Sequence, residues 1–298
     1  MPLSPFYVSG LSDAESCFFL SLDNKNYPRF SFFIGMNLKD KDLISNINSF
    51  FNKKGRISIY SPNSEIRVTF ENLDAINNYI IPHFDKYPLI GIKSLDYQLF
   101  KTGINMINNG DYKTAEGLKN FSKISISMNE GYKKNIINLF PDLINTSKNF
   151  ELYDKSIVTT MNPWWVSGFI DGDGSFSASI KYKNIEKTRI AFQPSLSISQ
   201  HSNNILLFNQ FKEFFNCGNV YDKKSSDGQH NHIQYQVSST KDIKSFILPH
   251  FESYPLMSYK KNVYQVWSEL IILLSNVPSE NRNKKAIEFV NQIKKFNN

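Results

Sequence analysis

Cysteine is nearly absent: in 298 residues only Cys17 and Cys217 carry a thiol. Two thiols can build neither a disulfide framework nor a zinc knuckle, so each reads as a small hydrophobe and the redox compartment stays open. Long apolar runs are missing as well. The longest aliphatic stretch, Leu270 to Leu274, falls far short of the roughly 20 residues a membrane-spanning helix needs, and no membrane partner is expected. Arginine is scarce, with five residues (Arg29, Arg56, Arg67, Arg189, Arg282), so the net charge of +7 rests mainly on lysine. With 41% hydrophobic and 20% charged residues, the chain is neither disordered nor fibrous. Its length fits one large domain or two ordinary ones.

A positive balance and a pI near 9.1 attract polyanions, which makes nucleic acid the leading partner class. Asparagine, with 34 residues, equals lysine and arginine combined, and phenylalanine, tyrosine and isoleucine are abundant. These residues have A/T-rich codons, which points to an A/T-biased genome such as that of a mitochondrion. The first residues, MPLSPFYVSGLSDAES, form neither an Arg-rich presequence nor a secretion signal. If this is the full product, it is expected to stay where it is made, in the mitochondrial matrix.

Internal repetition organises the chain. FYVSGLSDAESCF (Phe6 to Phe18) matches WWVSGFIDGDGSF (Trp164 to Phe176) at a shift of 158. HFDKYPLIGIK (His83 to Lys93) matches HFESYPLMSYK (His250 to Lys260) at a shift of 167, and GRISIY at Gly55 matches GNVYDK at Gly218 at a shift of 163. The order is kept and the shifts drift slightly, as loop insertions cause. The reading is two fused halves, 1–145 and 163–298, joined by a linker at 146–162.

Each half reads helix, hairpin, helix, hairpin, helix, helix. In the second, Phe176, Ala178, Ile180 and Tyr182 alternate with Ser175, Ser177, Ser179, Lys181 and Lys183; Ile190, Phe192, Leu196 and Ile198 alternate with Arg189, Gln193, Ser195, Ser197 and Ser199. That period of two marks half-buried strands. Ser202 or Asn203 is expected to cap a helix ending at Gly218. Ile233, Tyr235 and Val237 then alternate with His232, Gln234, Gln236 and Ser238. The first half places Phe30, Phe32, Ile34, Met36, Leu38, Ile57, Ile59, Ile66, Val68 and Phe70 inward. The fold class is therefore α+β, two four-stranded antiparallel sheets with an apolar face under helices and an open polar face.

Polar side chains on an open sheet can hydrogen-bond base edges and phosphates, and a two-stranded ribbon fits the major groove. The candidates for duplex contact are Arg29, Ser31, Asn37, Arg56, Ser58, Tyr60, Arg67 and Thr69 in the first half. In the second they are Ser177, Lys181, Lys183, Arg189, Gln193, Ser195, Ser197, Tyr221, Lys223, His232, Gln234, Gln236 and Ser238. Two such sheets side by side would make a long concave surface.

In each half a helix runs into a pair of acids, Asp13 and Glu15 or Asp171 and Asp173. Carboxylates at a helix C-terminus oppose its dipole. A divalent cation with hard oxygen ligands, such as Mg²⁺, would offset this. Small residues Ser9 and Gly10, and Ser167 and Gly168, would let the two helices cross closely and bring Glu15 near Asp173.

VSGLSDAES and VSGFIDGDG resemble the two motifs of LAGLIDADG homing endonucleases, most closely the monomeric, intron-encoded type of fungal mitochondria. With the YPL repeats, the similarity covers almost the whole chain. It implies two pseudo-symmetric αββαββα domains forming a saddle, a monomer, and Mg²⁺-dependent hydrolysis of double-stranded DNA. The cut would cross the minor groove at a long, asymmetric target and leave a staggered break. It further implies that Mn²⁺ substitutes and that Ca²⁺ binds without turnover. Glu15 and Asp173 would bind the metal with the carbonyls of Ala14 and Gly172. Lys93 and Lys260 would stabilise the transition-state phosphate, and Gln200 would order water.

Ser16 replaces the motif's final glycine, Ser12 takes an apolar position, and Leu38 is expected where Gln200 stands in the other half. The sites are therefore expected to be unequal, the first helix exit tighter or shifted. Rival readings are a maturase bound to its own intron RNA and a DNA-binding protein without catalysis. DGDG at 171 to 174 lacks the final acid of a calcium loop, and His201, His230 and His232 lack a completing thiolate or acid.

Overall fold

A computed structural model of the protein describes residues 2–60, 64–128, 133–145, 161–182, 190–224 and 231–297. The duplex-contact candidates Lys183 and Arg189, and most of the 146–162 segment, lie outside the described residues. The chain divides into two compact units, Met1–Thr159 and Thr160–Asn298.

The first unit opens with α1 (Pro5–Glu15), followed by β1 (Ser16–Leu22), β2 (Pro28–Asn37), α2 (Lys41–Phe50), β3 (Arg56–Tyr60) and β4 (Glu65–Phe70). Further helices include α3 (Ile81–Lys86), α4 (Lys93–Asn109) and α5 (Ala115–Ser127). The second repeats the plan: α6 (Pro163–Asp173), β5 (Gly174–Tyr182), β6 (Ile190–His201), α7 (Ile205–Phe215), β7 (Asn219–Lys224), β8 (Asn231–Val237), α8 (Leu248–Ser253), α9 (Lys260–Asn276) and α10 (Ser279–Asn297). Both sheets are antiparallel, in the orders β1-β2-β4-β3 and β5-β6-β8-β7.

Local chemistry sets the boundaries. Proline at the first position of α1 and α6 fixes φ where no N–H partner exists. Asn162 accepts a hydrogen bond from the Trp164 N–H to cap α6. Ahead of α3 and α8 the chain makes π turns, Ile76–Ile80 and Ile243–Ile247. Pro82 and Pro249 lack the N–H that would continue the ordinary ladder, so the ladder widens just before them.

Alternation places the core as the sequence suggests. Phe18, Leu20, Phe32, Ile34, Val68 and Phe70 are buried in the first sheet, and Phe176, Leu196, Ile198, Ile233, Tyr235 and Val237 in the second. Aromatic rings fill the space between sheet and helices: Phe18 packs on Phe32, Phe84 and Phe100, and Phe176 on Phe251 and Trp267.

Four expectations need correction. Ile57 and Ile59 share a face with buried Val68 and Ile66 in the β3–β4 register, yet both are exposed; the packing that buries Phe18 and Leu20 on the other edge strand, β1, does not cover β3. Leu38 leaves the strand and opens a 3₁₀ turn, Leu38–Asp40. The helix after β6 begins with a 3₁₀ turn capped by His201, not by Ser202 or Asn203, and ends at left-handed Asn216 (φ 50°) before Gly218. Thr69, Ser195 and Gln234 lie on the polar face but are buried, since longer or paired neighbours flank them; Ser195 Oγ bonds Ser177 Oγ at 2.9 Å.

Candidate active site and nucleic-acid interface

Each unit carries one acid at the end of a motif helix. In the second, Asp173 is the last residue of α6 and is half-buried. Gln200, near the end of β6, donates through Nε2 to Asp173 Oδ2. Asn204, the N-cap of α7, donates through Nδ2 to Gln200 Oε1 at 2.6 Å. Lys260 reaches from the first turn of α9 to the Ile170 and Gly172 carbonyls, at 3.0 and 2.7 Å. In the first unit, Glu15 ends α1, and Lys93 reaches from α4 to the carbonyls of Ser12 and Ala14, at 3.0 and 3.1 Å.

These lysines answer the electrostatic problem posed by the acids. The last carbonyls of a helix carry the negative end of its dipole, and an ammonium resting on two of them offsets part of that charge. The same carbonyls, Ala14 and Gly172, are the ones the family resemblance gives to a metal. The donors gathered at each helix end are a carboxylate and backbone carbonyls. All are hard oxygens, and among the described residues no group of three His, Cys, Asp or Glu could cage a softer metal. The set fits Mg²⁺ or Ca²⁺ with water completing the shell.

The first acid of each motif is structural. Asp171 accepts from the backbone N–H groups of Met257 (2.6 Å) and Ser258 (2.9 Å) and from Ser258 Oγ. Asp13 accepts from Ile90 N–H at 2.7 Å and Gly91 N–H at 3.3 Å. Each thereby fastens a motif helix to the loop that precedes its lysine, which links the two repeated landmarks physically. A second fastening uses the histidines of the other repeat. Ser9 Oγ donates to the Tyr87 carbonyl (2.7 Å) and lies 3.1 Å from His83 Nε2. Ser167 Oγ donates to the Tyr254 carbonyl (2.6 Å) and lies 3.0 Å from His250 Nε2.

The unusual serines of the first motif compensate each other. Ser16 leaves the helix in the same extended conformation as Gly174, at φ −94° against −77°, so the exit is not redirected. A Cβ on Gly174 would stand 2.5 Å from Ile170 Cγ2. The first motif has Ser12 at the position of Ile170, with no such methyl. Ser16 Oγ instead donates to the Ser12 carbonyl at 2.6 Å, and Ser12 Oγ to the Val8 carbonyl at 2.7 Å.

Leu38 is not the counterpart of Gln200. The register pairs Ser16 with Ile34 and Gly174 with Ile198, so two residues further on Met36 answers Gln200. The second hairpin is longer than the first, so the offset between the halves is larger in β2 and β6 than at the motif helices, and Leu38 answers Ser202. Met36 is as apolar as leucine, so the first unit has no amide at the position of Gln200.

On the open face of the first sheet, Arg67 is packed between Phe33 and Tyr60, at 4.5 and 4.6 Å from the ring centres, and bonds Glu65 through two nitrogens. Gly35 lies opposite Arg67 in the register, and a Cβ there would meet Glu65 Oε1 at 2.3 Å. Glu65 and Arg67 stand two positions apart on one face of β4, so this pair is local in the sequence. Arg29 pairs with Asp23 (3.1 Å) and Arg56 with Glu71 (3.4 Å), both exposed. Asn37 caps the turn after β2 by accepting from the Lys39 N–H. Ser31 and Ser58 are half-buried and Tyr60 is exposed. In the second sheet Lys181, Tyr221, Lys223 and His232 are exposed, while Ser177, Gln193, Ser197 and Gln236 are half-buried. Ser238 lies one residue past β8.

The family model described as LAGLIDADG endonuclease matches residues 8–104 and 166–271. The chain is 29% identical over 306 residues to the probable intron-encoded endonuclease 2 of Neurospora crassa, covering 98% of this chain and 64% of that protein. It thus spans less than two thirds of that relative's length. Among solved structures it resembles I-LtrWI, a LAGLIDADG homing endonuclease bound to target DNA, with 28% identity, a TM-score of 0.86, and 97% and 96% of the two chains covered. It also resembles I-SmaMI bound to uncleaved DNA target in the presence of calcium ions, with 25% identity, a TM-score of 0.82, and 98% of each chain covered.

Proposed function

The chain belongs to the LAGLIDADG endonuclease family, and on that premise we propose that it is a site-specific double-strand DNA endonuclease. Each unit hydrolyses one phosphodiester of a long, asymmetric target, across the minor groove, leaving a staggered break. The observation that carries this reading is the repeated helix end, where Glu15 or Asp173 stands beside carbonyls already gripped by Lys93 or Lys260. Two such ends, one per unit, match the two strands of a duplex.

Glu15 with the Ala14 carbonyl, and Asp173 with the Gly172 carbonyl, would hold a hard divalent cation, Mg²⁺ in the cell, with Mn²⁺ as a substitute and Ca²⁺ supporting binding without turnover. When bound, such a cation supplies a nucleophilic water at neutral pH and offsets charge on the departing oxygen. Lys93 and Lys260 are fixed cations facing the same carbonyls and lie within reach of a scissile phosphate. Gln200 orients Asp173 and orders water beside it. The open sheet faces bind the duplex: exposed Lys181, Lys223, Arg29 and Arg56 contact phosphates, and Arg67, Gln193 and Gln236 read base edges. Retained acids in both units favour cleavage over a maturase bound to its own intron RNA. The Asn-, Lys- and Ile-rich composition supports an organelle gene and action in the mitochondrial matrix, as a monomer.

Incubation with a randomised plasmid library and Mg²⁺ at low salt tests the proposal. Cut products of one sequence class are expected; no cut product at any sequence refutes it.

A further inference from the structure

The two units place different chemistry behind their acids. In the second, Asn204 Nδ2 donates to Gln200 Oε1, and Gln200 Nε2 donates to Asp173. The order matters because a glutamine amide has one oxygen and one NH₂, and either end can face a neighbour. By engaging the oxygen, Asn204 leaves only the NH₂ to meet the carboxylate. In the first unit the matching positions are Met36 and Asp40. Asp40 occupies the same backbone position as Asn204, each the N-cap of the following helix, at φ −97°, ψ 20° against φ −90°, ψ 18°. Met36 offers no amide, and a carboxylate at 40 donates nothing.

We propose that Asn204 is a positioning residue of the second unit: it fixes the Gln200 amide with its NH₂ toward Asp173, and so puts the cutting of one DNA strand under a control the other strand lacks. This rests on the nuclease reading above. Asn204→Asp is the discriminating variant. Aspartate is the residue the first unit carries in this backbone conformation, and it keeps the shape of asparagine, so the fold is retained. Its carboxylate oxygen cannot donate to Gln200 Oε1. The amide then turns its NH₂ toward residue 204 and presents its carbonyl to Asp173, where a charge-assisted hydrogen bond is replaced by repulsion.

The test uses the full chain and a target recovered from the plasmid library, with the two strands labelled differently. In Asn204→Asp, cleavage of one strand is expected to slow about 10- to 100-fold, the loss of one hydrogen bond to a charged group. The other strand should stay within about twofold, and nicked duplex accumulates. A second measurement needs neither metal nor DNA: in protein labelled with ¹⁵N-glutamine, the Gln200 side-chain amide pair is identified by its disappearance in Gln200→Met. It is expected to shift in Asn204→Asp. Equal slowing of both strands, unchanged rates on both, or an unmoved Gln200 amide pair overturns the proposal. If the wild-type chain cuts nothing, the nuclease reading fails by itself, and the amide spectrum still decides whether Asn204 sets the Gln200 orientation.

Discussion

Mild acid should loosen both units through a histidine that is buried in each. His83 and His250 are ringed by aromatics, Phe50, Phe51 and Phe84 around one and Phe214, Phe215 and Phe251 around the other. Ser9 and Ser167 give their single hydroxyl proton to a tyrosine carbonyl, so each Oγ accepts from Nε2–H. Burial lowers both rings from 6.5 to about 4. The unfolded chain therefore binds more protons than the folded one between these values. The stability contribution is fully present above about 6.5 and is lost as pH falls toward 4. Between pH 7 and pH 5 the loss works out to about 2 kcal/mol per imidazole. That is a large part of the roughly 5–15 kcal/mol typical of a folded protein. Urea unfolding followed by circular dichroism at pH 7, 6 and 5 measures it. His83→Gln and His250→Gln keep a donor near the Nε2 position but do not titrate. Each variant should remove about half of the slope and the double variant most of it. A double variant that loses stability with acid as steeply as the wild type would refute the reasoning.

Four other outcomes follow from the geometry. Asp173→Asn should abolish cleavage while DNA binding in Ca²⁺, measured by gel shift, stays largely intact; a variant that still cuts both strands removes Asp173 from the metal site. Asp171→Asn puts an NH₂ where two backbone N–H groups and a hydroxyl now donate, and thermal melts should show a loss of about 2–3 kcal/mol. Gly103→Ala would press a methyl to 2.3 Å from Leu20 Cδ1, costing about 1–3 kcal/mol by overpacking; an unchanged melting temperature would show that Leu20 yields freely. Gly35→Ala meets the tip of the Glu65 side chain and, at 3.2 Å, Arg67 Cγ, both on flexible side chains, so stability should change by no more than about 0.5 kcal/mol, while selection from the library should show altered base tolerance next to Arg67. Uniform weakening at all positions would mark Arg67 as a phosphate contact instead.

Much of the architecture was legible because it rests on periodicity. The alternation from Phe176 through Tyr182 and from Phe30 through Met36 fixes which face is apolar, and a sheet with one buried face has a specified register. The repeat fixed the number of units, since a helix ending in Asp-x-acid does not recur in register by accident. The edge strand defeated this logic at Ile57 and Ile59, because alternation reports which face a side chain takes and not whether anything covers it. The misplacement of Leu38 has a related root: the two hairpins differ in loop length, and the offset beyond the loop follows only from the strand pairing.

The sequence by itself determined the duplication, the α+β class, the two acids that end the motif helices and the basic, amide-rich faces, because spacing and polarity are local properties of the chain. Only the tertiary structure decided what each acid does. Asp13 and Asp171 are spent on loop N–H groups, while Lys93 and Lys260 lie on the carbonyls beside Glu15 and Asp173. The difference between Gln200 with Asn204 and Met36 with Asp40 emerged only from the strand pairing. These contacts join residues some 80 positions apart or lie across a hairpin of unequal loops, and hydrogen-bond partners at such separations are set by packing and register, which no local pattern records.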